Sequence, residues 1–198
     1  MRQFYITFVI MIITVTAGVL GYIYWNDQQL YISTNNAKLE AELYPVIAIK
    51  NGTLTDWKVK NGDKVNQGEV IGKIADQNIS APATATVVKT AVYPKQTVFQ
   101  GQTLAQLANL DQAYILAYID ETKIGQVKLG KDVKVTIESL TNSDFSGKVT
   151  EIGYTTGDGS TPHSTTKEVQ HVPVKITIDH LPTDRLILGT HAKVKIKK

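Results

Sequence analysis

Histidine is the side chain best suited to ligate a metal or move a proton near neutral pH. This chain has four, His163, His171, His180 and His191, and they are scattered. No two have the spacing of an HExxH helix or of a tight ligand pair. Asp179 and His180 adjoin, with Asp184 nearby, but they bracket Leu181-Pro182 and read as turn residues. Gly157-Asp158-Gly159-Ser160 has the composition of a phosphate- or cation-binding loop. A phosphate cradle needs a helix start behind it, and no helical periodicity follows, so the stretch reads as plain loop. There is no Gly-x-Ser-x-Gly elbow and no P-loop. Cysteine is absent. That removes disulfides, thiol nucleophiles, thiolate metal sites and an acylated-cysteine anchor. The carboxylates on alternating segments read as solvated. The expectation is a protein with no catalytic residue, no metal site and no cofactor, and therefore not an enzyme.

The elements around these residues point elsewhere. A length of 198 residues allows one anchor and one or two small domains. Charged residues make up 20% and the net charge is +3, with no run of like charge long enough to suggest nucleic acid. Residues 4–25 carry no charge. At about 1.5 Å per residue they match a hydrocarbon core of about 30 Å. Phe4 marks the near end. Tyr22, Tyr24 and Trp25 gather at the far end, where amphipathic rings favour the lipid–water interface. Arg2 precedes the run and no Lys or Arg follows until Lys38, which sets the amino terminus inside. A cleaved signal peptide would have a shorter apolar region and a small-residue cleavage site. The reading is a single-pass anchor in the cytoplasmic membrane, with the bulk of the chain outside.

The middle of the chain is duplicated. A constant offset of 33 residues, set by Gly52 and Ala85, pairs Thr53 with Thr86, Leu54 with Val87, Val59 with Val92 and Val65 with Val98. The same offset pairs Gln67 with Gln100, Gly68 with Gly101, Ile71 with Leu104 and Ile74 with Leu107. Upstream it pairs Val46 with Ile79 and Ala48 with Ala81. Apolar alternation broken by glycine-bearing turns predicts short strands. Asn61-Gly62-Asp63 is a strong turn signal, and Tyr93-Pro94-Lys95 is its counterpart. Neither half can bury its apolar face alone, so each is expected to complete the other's sheet in a flattened barrel. Trp57 alternates with nearby Leu54 and Val59 and reads as a half-buried packing residue.

Over residues 45–109 this pattern resembles the biotinyl/lipoyl hammerhead domain. The resemblance implies one of two uses. Carrier domains bear biotin or lipoate on a lysine at the hairpin between the halves. Membrane fusion proteins of the haemolysin-D type, the periplasmic adaptors, insert a coiled-coil hairpin there. Between Ile74 and Ile79 stand only Ala75, Asp76, Gln77 and Asn78. The tip has no lysine, since Lys73 falls inside the strand pattern, and it has no room for a coiled coil.

The flanks resemble the adaptors. Thr34, Asn35, Asn36 and Ala37 match the stretch leading into their hammerhead, and Ala37, Leu39, Ala41 and Leu43 alternate as a strand. Downstream, a Tyr- and Ile-rich strand leads to a helix start at Asp120-Glu121-Thr122. Ile124 and Val127 share one helical face, and the helix ends near Gly130. Strands follow over 132–137 and 145–154, with Gly147 at a bulge or turn, and then two closing strands over 172–180 and 186–196. Leu188-Gly189-Thr190 keeps only the glycine of the family's Pro-Gly-Met.

The fold class is mainly β: an N-terminal transmembrane helix, a lipoyl-like flattened β-barrel, then an adaptor-type β-barrel domain. The divisions are residues 1–3 inside and 4–25 as anchor, then 26–44 as linker and lead-in strand. Residues 45–109 form the hammerhead with halves 46–74 and 79–107, and 110–198 form the barrel with a polar loop over 155–170. The resemblance implies an anchored adaptor subunit of an export system. Its partners would be the membrane, a transporter that is either a proton-driven drug antiporter or an ATP-driven exporter, and further copies of itself in a ring. The alternative is an anchored extracytoplasmic module that binds a ligand or cell-wall component and transports nothing. Asn61, Gly62 and Asp63, and Asp76, Gln77 and Asn78, are the expected exposed tips and candidate contacts.

Overall fold

The computed structural model describes residues 2–140, 143–153, 170–182 and 186–198, and within the first helix the side chains of Ile6, residues 10–22 and Leu30. Residues 154–169, which include Gly157-Asp158-Gly159-Ser160, His163 and nearly all of the expected polar loop, lie outside the described residues, as do Asp184 and the side chains of Phe4, Tyr24 and Trp25.

Helix α1 spans Arg2–Leu30. The sequence has no proline before Pro45 to stop it. The Thr14 and Thr16 hydroxyls donate back to the carbonyls of Ile10 and Ile12, both at 2.8 Å, so the helix satisfies them itself. Ile10, Met11, Ile12 and Ile13 follow one another and all are exposed, so the described side chains of the helix form no buried stripe. Among the described residues, no helix is long and apolar enough to cross a membrane. Residues 26–30, read from the sequence as linker, are helical. Nothing in Asn26-Asp27-Gln28-Gln29 breaks a helix, and α1 passes directly into strand β1.

The chain, α1 included, divides into two compact units. The first comprises 1–37, 116–177 and 191–198. The second comprises 38–115 and 178–190, so the segment 178–190 groups with the hammerhead and not with the barrel that precedes it in sequence.

The hammerhead unit has eight short strands: β2 (Leu43–Ile47), β3 (Gly52–Trp57), β4 (Lys64–Val65), β5 (Val70–Ile74), β6 (Gln77–Ser80), β7 (Ala85–Thr90), β8 (Thr97–Val98) and β9 (Thr103–Ala108). They form two sheets, ordered β2-β9-β7-β4 and β6-β5-β3-β8. Shifting by 33 residues turns β2 into β6, β9 back into β5, β7 back into β3 and β4 into β8, so it converts one sheet into the other. Each sheet thus contains strands of both halves. The paired apolar positions meet in a single core: Leu54 with Val87, Ile71 with Leu104 and Ile74 with Leu107 are all fully buried. Burying side chains of this size contributes roughly 1.5–3 kcal/mol each. Alternation holds through Ala37, Leu39 and Ala41 and fails at Leu43, which is exposed at the start of β2.

The other unit is built on a closed six-stranded barrel, β1 (Tyr31–Glu40), β10 (Tyr114–Asp120), β13 (His171–Ile178), β12 (Asp144–Ile152), β11 (Asp132–Ile137) and β14 (His191–Lys197), in that order. Val133, Val135 and Ile137 of β11 and Ala192, Val194 and Ile196 of β14 point inward, as strict alternation requires. Two expectations change here. Helix α2 is only Glu121–Ile124 and stops well short of Gly130. Tighter i+3 bonds from Gln126 to Lys123 and from Val127 to Ile124 take over, leaving Val127 buried beyond the helix end. On the β11 side, Gly147 is at no bulge or turn. It lies in regular register opposite Val133, in the middle of β12.

Candidate interaction surface

The hammerhead turn at 61–63 is fixed by the residues expected to offer contacts. At 61–63, Gly62 adopts φ +96° and its N–H donates to the Val87 carbonyl at 2.8 Å. The Asp63 carboxylate accepts the Lys60 N–H at 2.8 Å, and Asn61 Oδ1 accepts the Thr90 N–H at 2.7 Å. All three residues are exposed, but the side-chain oxygens of Asn61 and Asp63 already hold the turn and its neighbour strand.

The second half repeats this chemistry with different side chains. Lys95 takes Gly62's place at φ +70°, and its N–H donates to the Leu54 carbonyl at 2.7 Å. Gln96 replaces Asp63, accepting the Tyr93 N–H at 3.2 Å. A second matched pair follows: Glu69 accepts from Asn66 and Gln102 accepts from Phe99. In a third, Thr84 Oγ1 accepts from Gln67 and Asn51 Oδ1 from Gln100. Gly68 and Gly101 adopt φ +82° and +84°, where glycine alone is unstrained. These acceptors escaped the sequence reading. Their signal was an oxygen-bearing side chain recurring at the offset without residue identity.

The connection between the halves is smaller than the four residues suggested. Ile74 pairs with Gln77, so Gln77 and Asn78 belong to β6 and the turn is Ala75 and Asp76 alone. Ala75 has φ +49°, as the first residue of a two-residue hairpin turn of the II′ kind requires. The turn is clamped to β3: the Ala75 N–H donates to the Thr53 carbonyl at 3.0 Å, and Thr55 Oγ1 donates to the Ala75 carbonyl at 3.1 Å. Lys73 sits inside β5, opposite Asn78. No hydrogen bond or ion pair among the described residues joins the 61–63 tip to the 75–78 tip.

The barrel carries a charged cluster at the end of β10. Asp120 bonds the Lys123 ammonium at 2.7 Å and lies 3.2 Å from His171 Nδ1. The hydrogen bond from Lys123 is the main cause holding the Asp120 carboxyl below its ordinary value, with the Lys123 and His171 charges adding to it. On the hammerhead, the Tyr44 hydroxyl donates to Glu42 at 2.8 Å, and that bond raises the phenol above its usual range. His180, at φ +57°, and His191 lie elsewhere. Among the described residues, no group of three or more His, Cys, Asp or Glu could hold a metal ion. Trp57 is half-buried against the hammerhead core, and its indole N–H lacks a partner.

Two interlocked half-motifs in facing four-stranded sheets, with a closed six-stranded barrel in the same chain, define the membrane fusion or periplasmic adaptor class. The family described as YhbJ, barrel-sandwich hybrid domain, matches residues 42–109. YhbJ of Bacillus subtilis (strain 168), named as an efflux system component, is 33% identical over 178 residues, covering 85% of this chain and 80% of that protein. Two solved structures share the fold. A MacA-MexA chimera carrying the Pseudomonas aeruginosa MexA α-hairpin domain has TM-score 0.72 at 21% identity, covering 85% of this chain and 82% of that one. The periplasmic adaptor EmrA has TM-score 0.61 at 14% identity, covering 85% and 98%. The chain belongs to the YhbJ branch of the membrane fusion protein family, with a hammerhead that lacks the coiled-coil hairpin.

Proposed function

We propose that the chain is a short-reach adaptor of an efflux system, anchored in the cytoplasmic membrane by α1 with its amino terminus inside and both β-rich units outside. It docks on a transporter of that membrane, a proton-driven drug antiporter or an ATP-driven exporter, which supplies the energy. The adaptor contributes binding, in a ring of like copies. The observation that carries this reading is the clamped two-residue turn at Ala75 and Asp76, where hairpin-bearing adaptors extend outward. With that reach absent, the working range is the space next to the membrane.

Anchoring is supported by the uncharged run 4–25 and by the exposure of every described side chain from Ile10 to Tyr22. An apolar helix surface of that kind is covered by lipid or by a partner. An efflux role is supported by the name its relative YhbJ carries. The test is a native-expression pull-down from detergent-solubilised membranes after an alkaline carbonate wash. The expected result is a chain that resists the wash and brings down a multi-span transporter. A chain released by carbonate sinks the anchor, and a retained chain without a transporter sinks the docking.

A further inference from the structure

Within the hammerhead unit, the outward side of the β2-β9-β7-β4 sheet bears an open groove of about 710 Å³. Sites for small organic molecules span about 300–1,000 Å³. Leu43, Val88 and Leu110 form its apolar lining from the sheet side, and Ile187 and Leu188 from the segment 178–190. Lys64 on β4 and Lys89 on β7 also line it, both exposed, and neither is in an ion pair among the described residues. Among the described residues, no Asp or Glu lines the groove. Thr86 and Gln106 add neutral hydrogen-bonding groups.

The duplication supplies an internal control. At the offset of 33, Leu43 corresponds to Asp76, Val88 to Thr55, Lys64 to Thr97 and Lys89 to Asp56. The matching face of the other sheet is therefore polar and carries carboxylates beside Lys73 and Lys95, the counterparts of Gln106 and Gly62, and one of the carboxylates, Asp56, pairs with Lys58 at 3.7 Å. The fold tolerates either surface, so an apolar lining with two cations and no acid is not a requirement of folding.

We propose that this groove binds a small amphipathic organic anion, its apolar body against Leu43, Val88, Ile187 and Leu188 and its acid group held by the Lys64 and Lys89 ammoniums. The inference rests on this unit alone and is independent of the anchor and of transporter docking. The experiment titrates the full chain, in nanodiscs of zwitterionic phosphatidylcholine, with 2-naphthoate, its neutral amide and 2-naphthylmethylammonium. Binding is read by calorimetry, with empty nanodiscs subtracted. Exposed charge pairs are each worth up to about fivefold, so naphthoate binds about three- to tenfold tighter than the amide, and the ammonium binds weakest. K64Q/K89Q abolishes the preference while leaving amide binding unchanged. I187S weakens all three probes alike. Equal binding of the three probes, a preference that survives K64Q/K89Q, binding indifferent to I187S, or no naphthoate binding to a chain with its ordinary unfolding transition would each overturn the proposal.

Discussion

Gly72 and Ala105 occupy equivalent places in the two halves, but only one of them tolerates a methyl group. In the second half Thr90 pairs with Ala105; in the first, Trp57 pairs with Gly72. A Cβ on Gly72 would stand 2.7 Å from Trp57 Cε3 and 3.0 Å from the Asp56 carbonyl oxygen. The indole is rigid and the carbonyl is backbone, so neither yields cheaply. Gly72→Ala is expected to destabilise the hammerhead by about 1–3 kcal/mol, the range of overpacked cores, in a urea titration followed by Trp57 fluorescence. An unchanged midpoint would mean the ring moves freely. Asp120 offers a second residue-scale test. Its folded pKa is depressed, so its stabilising effect is present above the unfolded value, about 3.9, and is lost as pH falls through the lower folded value. The side chain is one-third exposed, so the effect stays below about 1 kcal/mol. Asp120→Asn should therefore lower stability at neutral pH and converge with the parent chain in acid. A constant difference across that pH range would contradict the assignment.

At the scale of elements, the hairpin between β5 and β6 separates this adaptor from those with a coiled coil. Ala75 and Asp76 are exposed, and the clamp from Thr53 and Thr55 holds Ala75 to β3 without help from Asp76. Insertions at exposed turn tips with secure flanks are the best tolerated. A helical hairpin inserted between Ala75 and Asp76 is expected to leave the unfolding midpoint of the hammerhead within about 1 kcal/mol of the parent, because loop length itself costs little. The same insertion combined with Thr55→Val, which removes the hydroxyl bonds to Ala75 and Lys73, should lose about 1 kcal/mol more. Loss of the folded hammerhead on insertion alone would show that the tight turn is itself needed for folding. Much of this element layout was legible in the sequence, because period-two alternation and the repeat offset reinforce each other over strands as short as Lys64–Val65 and Thr97–Val98. What was not legible arises where no period exists. Helix α1 overruns its apolar stretch because polar Asn26 to Gln29 neither favour nor stop it. The groove needs Ile187 and Leu188, which are distant in sequence from Leu43 and Val88 and were read as part of a closing strand.

At the scale of the whole molecule, the strand exchange makes the hammerhead a unit that cannot be divided at its own repeat boundary. Of the six strand pairings within it, β2 with β9, β4 with β7, β3 with β8 and β5 with β6 cross between halves, and only β3 with β5 and β7 with β9 stay within one. A separated first half would keep one two-stranded ribbon, while β2 and β4 would lose every neighbour. An isolated ribbon is marginal in water, and the buried faces of Leu54, Ile71 and Ile74 would have nothing to meet. The prediction has two arms. A chain carrying a protease site between Ala75 and Asp76, once cut, should remain associated through the shared sheets and still unfold in one cooperative transition. A fragment ending at residue 75 should show no cooperative transition in its hammerhead half by circular dichroism. If that fragment melted cooperatively, each half would carry its own core, and the duplication would be two domains in series.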